Sequence, residues 1–257
     1  MADTTAALDA AALKGRGFFE QAEKGLFSLR LSSPGGTVDA AFVKTAAAIA
    51  ETYGTSRLHF TTRQQLEVPG IRADNIPAVE QMLAAEGIGT LTGGSRVRTI
   101  MACQGAPVCK FGTTDTGLLA RELSALFAGR SLPAKFKIAV TGCKNNCARV
   151  EGNDIGVRGL GAGFELYFGG RYGRTIRTAT ALLPVIPDRE TAIKVIRAAV
   201  DFFAENARKG ERFAVMLDRV GEDAFRAALL PVAGFPDTAG FPDTAGSPDT
   251  GSPAQGR

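Results

Sequence analysis

The 257-residue chain contains no Trp, three Tyr, four Met, four Cys and a single His. One histidine cannot build a histidine-rich metal site, so metal chemistry falls to the thiols. With few aromatics, no dense Lys/Arg tract and no recognised motif, nucleic-acid binding is not expected. No apolar run approaches the length of a membrane span, which argues against a membrane protein. The first residues, MADTTAALDAAALKGRG, carry Asp3 and Asp9 and lack the basic start and sustained apolar stretch of a secretory signal. A cytoplasmic chain with reduced thiols is therefore expected. No GxGxxG follows a predicted strand, so electrons would have to come from a separate donor. What is present is a hydrophobic fraction of 45%, ample for a packed core without staples. The net charge of +4 and sequence pI of about 9.0 favour small anions, acidic cofactors or acidic partner proteins.

The four cysteines form two tight pairs, Cys103 and Cys109 in ACQGAPVCKFG, and Cys143 and Cys147 in TGCKNNCARV. Zinc sites most often leave two to four residues within a pair, whereas here the gaps are five and three, wrapped in Gly105, Pro107, Gly112 and Gly142. An iron–sulfur cluster is the better reading, because small residues let the backbone approach it and aim N–H groups at its sulfurs. Zinc, two disulfides and four unrelated buried thiols stay open, since spacing alone does not choose among them.

Between the ends the pattern alternates. Leu26 to Leu31 reads as a strand with Phe27, Leu29 and Leu31 on one face, and PGG then turns the chain. A helix from Asp39 to Thr52, a strand from Arg57 to Thr62 and a helix from Asn75 to Glu86 complete a small α/β module, with Gly87 at the last C-cap. The second module holds the first Cys pair, a helix over Thr116 to Phe127 and a strand over Phe136 to Val140 that leads into the second Cys pair. Strands over Asp154 to Arg158 and Phe164 to Phe168 follow, then a helix from Arg189 to Arg208. The predicted boundaries are 1–15 as a peripheral extension, 16–95, 96–232, and 233–257 as a disordered tail built on GFPDTA repeats.

Strand alternation also sorts the polar side chains. Arg57, His59 and Arg63 are expected to face away from Leu58 and Phe60, and Lys135 and Lys137 to lie side by side opposite Phe136, Ile138 and Val140. Arg30 belongs to the same class. Like charges so placed repel unless solvent or an anion separates them, so this surface suits a small oxyanion or a polyanion.

The cysteine spacing, HFTTRQQLEV, LPAKFK and GERFAVMLDRVG together resemble the sirohaem-dependent sulfite and nitrite reductases over roughly Gly15 to Leu230, closest to the small assimilatory-type sulfite reductases. The resemblance implies an α+β fold, a ferredoxin-like α/β module followed by a sirohaem and [4Fe-4S] α/β domain, which is the half-repeat of that family. It implies that Cys103, Cys109, Cys143 and Cys147 hold a [4Fe-4S] cluster and that Cys147 also ligates the sirohaem iron. Arg30, Arg98, Lys135 and Lys137 then match the cations that bind the anion and deliver protons. Arg63 with Thr62 matches a sirohaem-carboxylate contact. The family often has a second Arg four positions before Arg63, where this chain has His59, with Arg57 two residues earlier; both are carried as cofactor-binding positions.

The activity so implied is the six-electron reduction of sulfite to sulfide, with nitrite reduction at the same iron, or non-catalytic electron transfer through the cluster alone, as alternatives. A ferredoxin or similar protein is the expected donor. Larger family members contain two copies of this module, and their working site combines cations from one copy with cysteines from the other. A chain with one copy would then be either a symmetric homodimer that shares its sites across the two-fold or a monomer with a self-contained site.

Overall fold

The computed structural model describes residues 9–91, 93–127 and 129–236. Asp9 opens the first helix, α1 (Ala10–Gly15), by accepting the N–H of Ala11 at 2.9 Å. Strands β1 (Phe18–Glu20) and β2 (Leu26–Arg30) follow, then α2 (Ala40–Tyr53), β3 (His59–Phe60), β4 (Leu66–Arg72) and α3 (Ile76–Ala85). The four strands form an antiparallel sheet in the order β1-β2-β4-β3. Its buried face, Phe18, Phe27, Leu29, Leu66, Val68 and Ile71, packs against Ala46 and Ile49 of α2 and Ile76, Val79 and Leu83 of α3. Pro69 lies inside β4 because the β2–β4 register shifts between Phe27 and Leu29, so the Pro69–Gly70 step falls in the irregularity rather than in the ladder.

The second module is a five-stranded sheet, β5 (Met101–Ala102), β6 (Ile138–Thr141), β7 (Ile155–Gly159), β8 (Phe164–Phe168) and β9 (Thr180–Ala181), paired in that order. β5, β6 and β7 run parallel, and β7, β8 and β9 antiparallel. Helices α4 (Thr116–Phe127), α5 (Arg189–Asn206), α6 (Phe213–Val220) and α7 (Glu222–Leu229) contribute to one large core. There Phe136, Phe203 and Phe213 stack with ring centroids 5.0 to 5.7 Å apart, and Phe168 and Phe225 extend the cluster. A smaller core of Ala139, Ala148 and Val150, with Met101 and Tyr167 against it, covers the sheet's other face. All four residues of β6 are buried, as expected for a parallel strand covered on both sides. Among the described residues no helix is long and apolar enough to cross a membrane.

The structure departs from the sequence pattern at several points. The strand predicted over Arg57 to Thr62 shrinks to His59–Phe60 at the sheet edge, and Phe60 is not inward but 73% exposed. β1, β4, β5, β9, α6 and α7 add to the predicted elements; β1, β5 and β9 are only two or three residues long, and the Pro–Gly step hides the alternation of β4. The stretch assigned to a peripheral extension contains α1, whose Leu13 is buried in the first core. At the other end Ala233 is buried in the second core with Phe235 packed against it, so the module continues past 232. The repeats expected to be disordered lie from residue 237 onward outside the described residues.

Candidate active site

The two cysteine loops are built against each other. The first leaves β5 and the second leaves β6, adjacent parallel strands, so both emerge at the same end of the sheet. The N–H and hydroxyl of Thr113 both donate to the carbonyl of Gly142 at 2.8 Å, and the N–H of Ala106 donates to Thr114 O at 2.8 Å. Gly105 has φ +66°, and a Cβ there would fall 2.5 Å from Thr114 O, so the loops close only because that position lacks a side chain. The N–H of Gly142 donates to Cys103 Sγ at 3.2 Å and the Thr141 hydroxyl at 3.8 Å, which is the backbone-to-sulfur contact expected of the glycine-wrapped motif.

All four thiols are free, Cys147 being the exposed one. Among the described residues no three His, Cys, Asp or Glu side chains converge on a single-ion site. Four thiols on two glycine-rich loops, with a backbone N–H aimed at Cys103 Sγ, are a donor set that fits an iron–sulfur cluster.

The turn between β3 and β4 plugs the first module into the second. Arg63 donates to Asn153 Oδ1 at 2.8 Å and to the carbonyls of Thr99 and Ile138 at 3.1 Å each. Gln64 pairs with β5 through its amide, giving to Ala102 O at 2.8 Å and accepting from Ala102 N at 3.1 Å. Desolvation first, and Arg98 beside it, bring the Arg63 guanidinium down to about 10, against the pull of Asp154. Its Nε is buried without a partner. The rest of the Arg63 fork is thus committed to the protein itself.

Around this plug the cations gather. Arg30 forks onto Glu67 through Nε and Nη2 and lies 4.5 Å above the Phe19 ring. Arg98 donates to Gly94 O at 3.0 Å, and burial, then Arg30 and Arg212, lower its pKa. Lys135 and Lys137 are likewise lowered, by desolvation first; Arg212 and Arg98 act next on Lys135, Arg63 and Arg212 next on Lys137. The counter-charge is Asp154, fully buried, which accepts from Arg212 Nη2 at 2.9 and 2.8 Å and from the N–H of Lys137 at 2.8 Å. Burial raises the Asp154 pKa while Arg212 opposes that shift.

Two cavities meet at the plug. One, of about 250 Å³, is walled by Arg30, Arg98, Lys135 and Lys137 together with Thr62 and Arg63. The other, of about 340 Å³, adds Cys147, Arg149 and Tyr172 to Thr62, Arg63 and Lys137. The four expected cations line the first cavity and Cys147 the second, while Thr62, Arg63 and Lys137 line both, with the loop of Cys143 leading into Cys147. Arg57 and His59 are exposed and line neither cavity; His59 Nε2 stands 4.0 Å from Glu67 Oε2. Glu67, Asn153, Asp154 and Arg212 are site residues that the sequence reading missed. A polar pair at the head of an otherwise apolar strand, Asn153–Asp154 before Ile155, was the available signal for two of them.

Both modules have counterparts among known proteins. Residues 93–235 match the family model described as the nitrite and sulphite reductase 4Fe-4S domain, and residues 19–86 match the nitrite/sulfite reductase ferredoxin-like half domain. The chain is 30% identical over 198 residues to a nitrite reductase [NAD(P)H] of Bacillus subtilis, covering 77% of this chain and 24% of that protein. It is 36% identical over 151 residues to one subunit of the anaerobic sulfite reductase of Salmonella typhimurium, covering 52% of this chain and 43% of that protein. The chain thus spans less than half the length of these relatives. The fold is shared with the Mycobacterium tuberculosis NirA protein at TM-score 0.73 and 20% identity, covering 86% of this chain and 45% of that one. It is shared equally with dissimilatory sulfite reductase I, at TM-score 0.73 and 16% identity, covering 90% and 73%.

Proposed function

The chain belongs to the nitrite and sulphite reductase family, and from that premise we propose that it is an assimilatory-type sulfite reductase, reducing sulfite to sulfide with six electrons. The cofactors of the family are sirohaem and a [4Fe-4S] cluster. The observation that carries the reading is the pair of cavities that share Thr62, Arg63 and Lys137, with a thiol lining one and four cations lining the other. Cys103, Cys109, Cys143 and Cys147 would hold the cluster, and Cys147, the exposed thiol, would be shared with the sirohaem iron. When bound, the two groups supply the electron transfer to the anion. Thr62, Arg149, Lys137 and Tyr172 are among the polar groups that a carboxylate-bearing tetrapyrrole would meet on the cysteine side.

The chain's own contribution is electrostatic and protic. Arg30 and Arg98 hold an oxyanion by forked donors, Arg30 being aimed by Glu67. Lys135 and Lys137 supply protons as oxygen departs, and their lowered pKa values make them better acids than a free lysine. Asp154 holds the Lys137 backbone and Arg212 in place without reaching the cavities itself.

Nitrite is the second substrate reading, favoured by the longer match to the Bacillus subtilis nitrite reductase. Because Lys137, Thr62 and Arg63 line both cavities within one chain, we favour a self-contained site. A symmetric homodimer that shares its sites across the two-fold is the alternative. A cytoplasmic location and a ferredoxin-type donor complete the proposal. The decisive test is an absorption spectrum and iron analysis of anaerobically purified protein, followed by turnover of sulfite and nitrite with a reduced viologen and sedimentation of the active species. Sirohaem bands, cluster iron and faster turnover of sulfite are expected; colourless, iron-free protein would overturn the assignment.

A further inference from the structure

The loop between Cys143 and Asn153 lies across the open face of β7 and β8, and a charged network beneath it has no part in the chemistry above. Arg158 on β7 pairs with Glu151 and with Glu165, the latter at 3.4 Å. Its guanidinium also donates to Tyr167 Oη at 2.5 Å and sits 4.8 Å over that ring, while the Tyr167 hydroxyl donates to Glu165 at 2.9 Å. Desolvation, then the bond to Glu165, push Tyr167 up to about 12, so it stays a neutral donor. The network reaches the cysteines through one residue. Glu151 accepts from the side-chain amide of Asn146, whose own Oδ1 accepts the N–H of Val150 at 3.0 Å.

Asn146 lies between Cys143 and Cys147 and has φ +52°, a left-handed conformation that a non-glycine residue holds only when its surroundings fix it. Arg149, three residues on, has φ +48°. The Asn146 N–H donates to Cys143 O at 3.2 Å, so the twist at Asn146 sets how the two thiols of this pair are presented. Gly156 of β7 admits the loop, since a Cβ there would lie 2.6 Å from Val150 O.

We propose that Glu151, held by Arg158, is a positioning residue for the cluster: it clamps Asn146 in the left-handed conformation so that Cys143 and Cys147 present their thiolates together. The proposal rests on the cluster reading above, but the clamp can be measured without metal. Outer-shell partners of metal ligands typically contribute about tenfold to a hundredfold in metal retention.

The test compares Glu151→Ala, Glu151→Gln and Glu165→Gln in the full-length protein. In apoprotein, amide exchange across 143–150 should accelerate by about tenfold or more in Glu151→Ala, with 103–112 unchanged. Glu165→Gln, which touches Arg158 but not the loop, should leave 143–150 as in the parent. After anaerobic reconstitution, Glu151→Ala should lose iron to a chelator about tenfold to a hundredfold faster, and Glu151→Gln, which still accepts from Asn146, should recover most of the difference. Unchanged exchange and unchanged iron loss in Glu151→Ala would overturn the clamp, as would equal damage from Glu165→Gln. If the parent protein bound no iron, the functional reading would fail while the exchange result still decided the clamp.

Discussion

At the residue scale, Lys137 carries opposing demands. Its folded pKa lies below the ordinary 10.5 because of desolvation and the cations Arg63 and Arg212. The unfolded chain therefore binds more protons between that lowered value and 10.5, and stability contributed by this group rises with pH across that window. At neutral pH the folded state bears the full cost of the charged amine. Lys137→Met should raise the thermal midpoint of the apoprotein at pH 7 by a few degrees, at about 2–4 °C per kcal/mol for a chain of this size, and the gain should shrink as pH approaches 10.5. In the holoenzyme the same change should reduce kcat about 10²- to 10⁴-fold with the cofactor spectrum retained, as for loss of a general acid. Unaltered turnover would remove Lys137 from the proton path. Lys135 and Lys137 were legible because Phe136, Ile138 and Val140 alternate with them. Glu67 was not, because its role depends on β4 pairing with β2, which brings Arg30 opposite it across 37 residues of chain.

At the element scale, β7 does two jobs that sequence alternation does not separate. Ile155 and Val157 fill the main core, while the residue before the strand, Asp154, is a buried carboxylate with Arg212 as its charged partner. Removing one member of a buried ion pair strands the other, so Asp154→Asn should destabilise the protein by about 3–5 kcal/mol. Denaturant unfolding checks this, and a loss under about 1 kcal/mol would show that solvent reaches Arg212. Four helices were readable from periodicity, with ends at Asp39, Gly87 and Arg189 that the structure places within a residue or two, whereas α6 and α7 were not predicted. β3 was overread because Leu58 and Phe60 suggested alternation, but an edge strand with a single partner does not require both faces to be covered. The junction bonds of Arg63, though not its place in the site, were hidden for a related reason. Three residues past that strand the chain turns, Gln64 takes φ +62°, and strand parity no longer says where a side chain points.

For the whole molecule, the two modules have separate hydrophobic cores, and a polar turn joins them. Arg63 reaches the carbonyls of Thr99 and Ile138 and the amide of Asn153, while Gln64 completes the edge of β5. Replacing Arg63 by Met keeps the apolar stem but leaves those internal acceptors bare, each at about 1–3 kcal/mol. The loss falls on the junction, not on either core. Arg63→Met should therefore convert a single cooperative calorimetric transition into two, with exchange at Thr99–Ala102 and Ile138 rising while Leu29 and Val68 stay protected. The cavities should fail with it, because Arg30 comes from the first module and Lys135, Lys137 and Cys147 from the second, and the docked turn helps bring them together. A single unshifted transition with unaltered exchange would mean that the other junction, where Gly35 N–H donates to Ile100 O at 2.9 Å, holds the modules without Arg63.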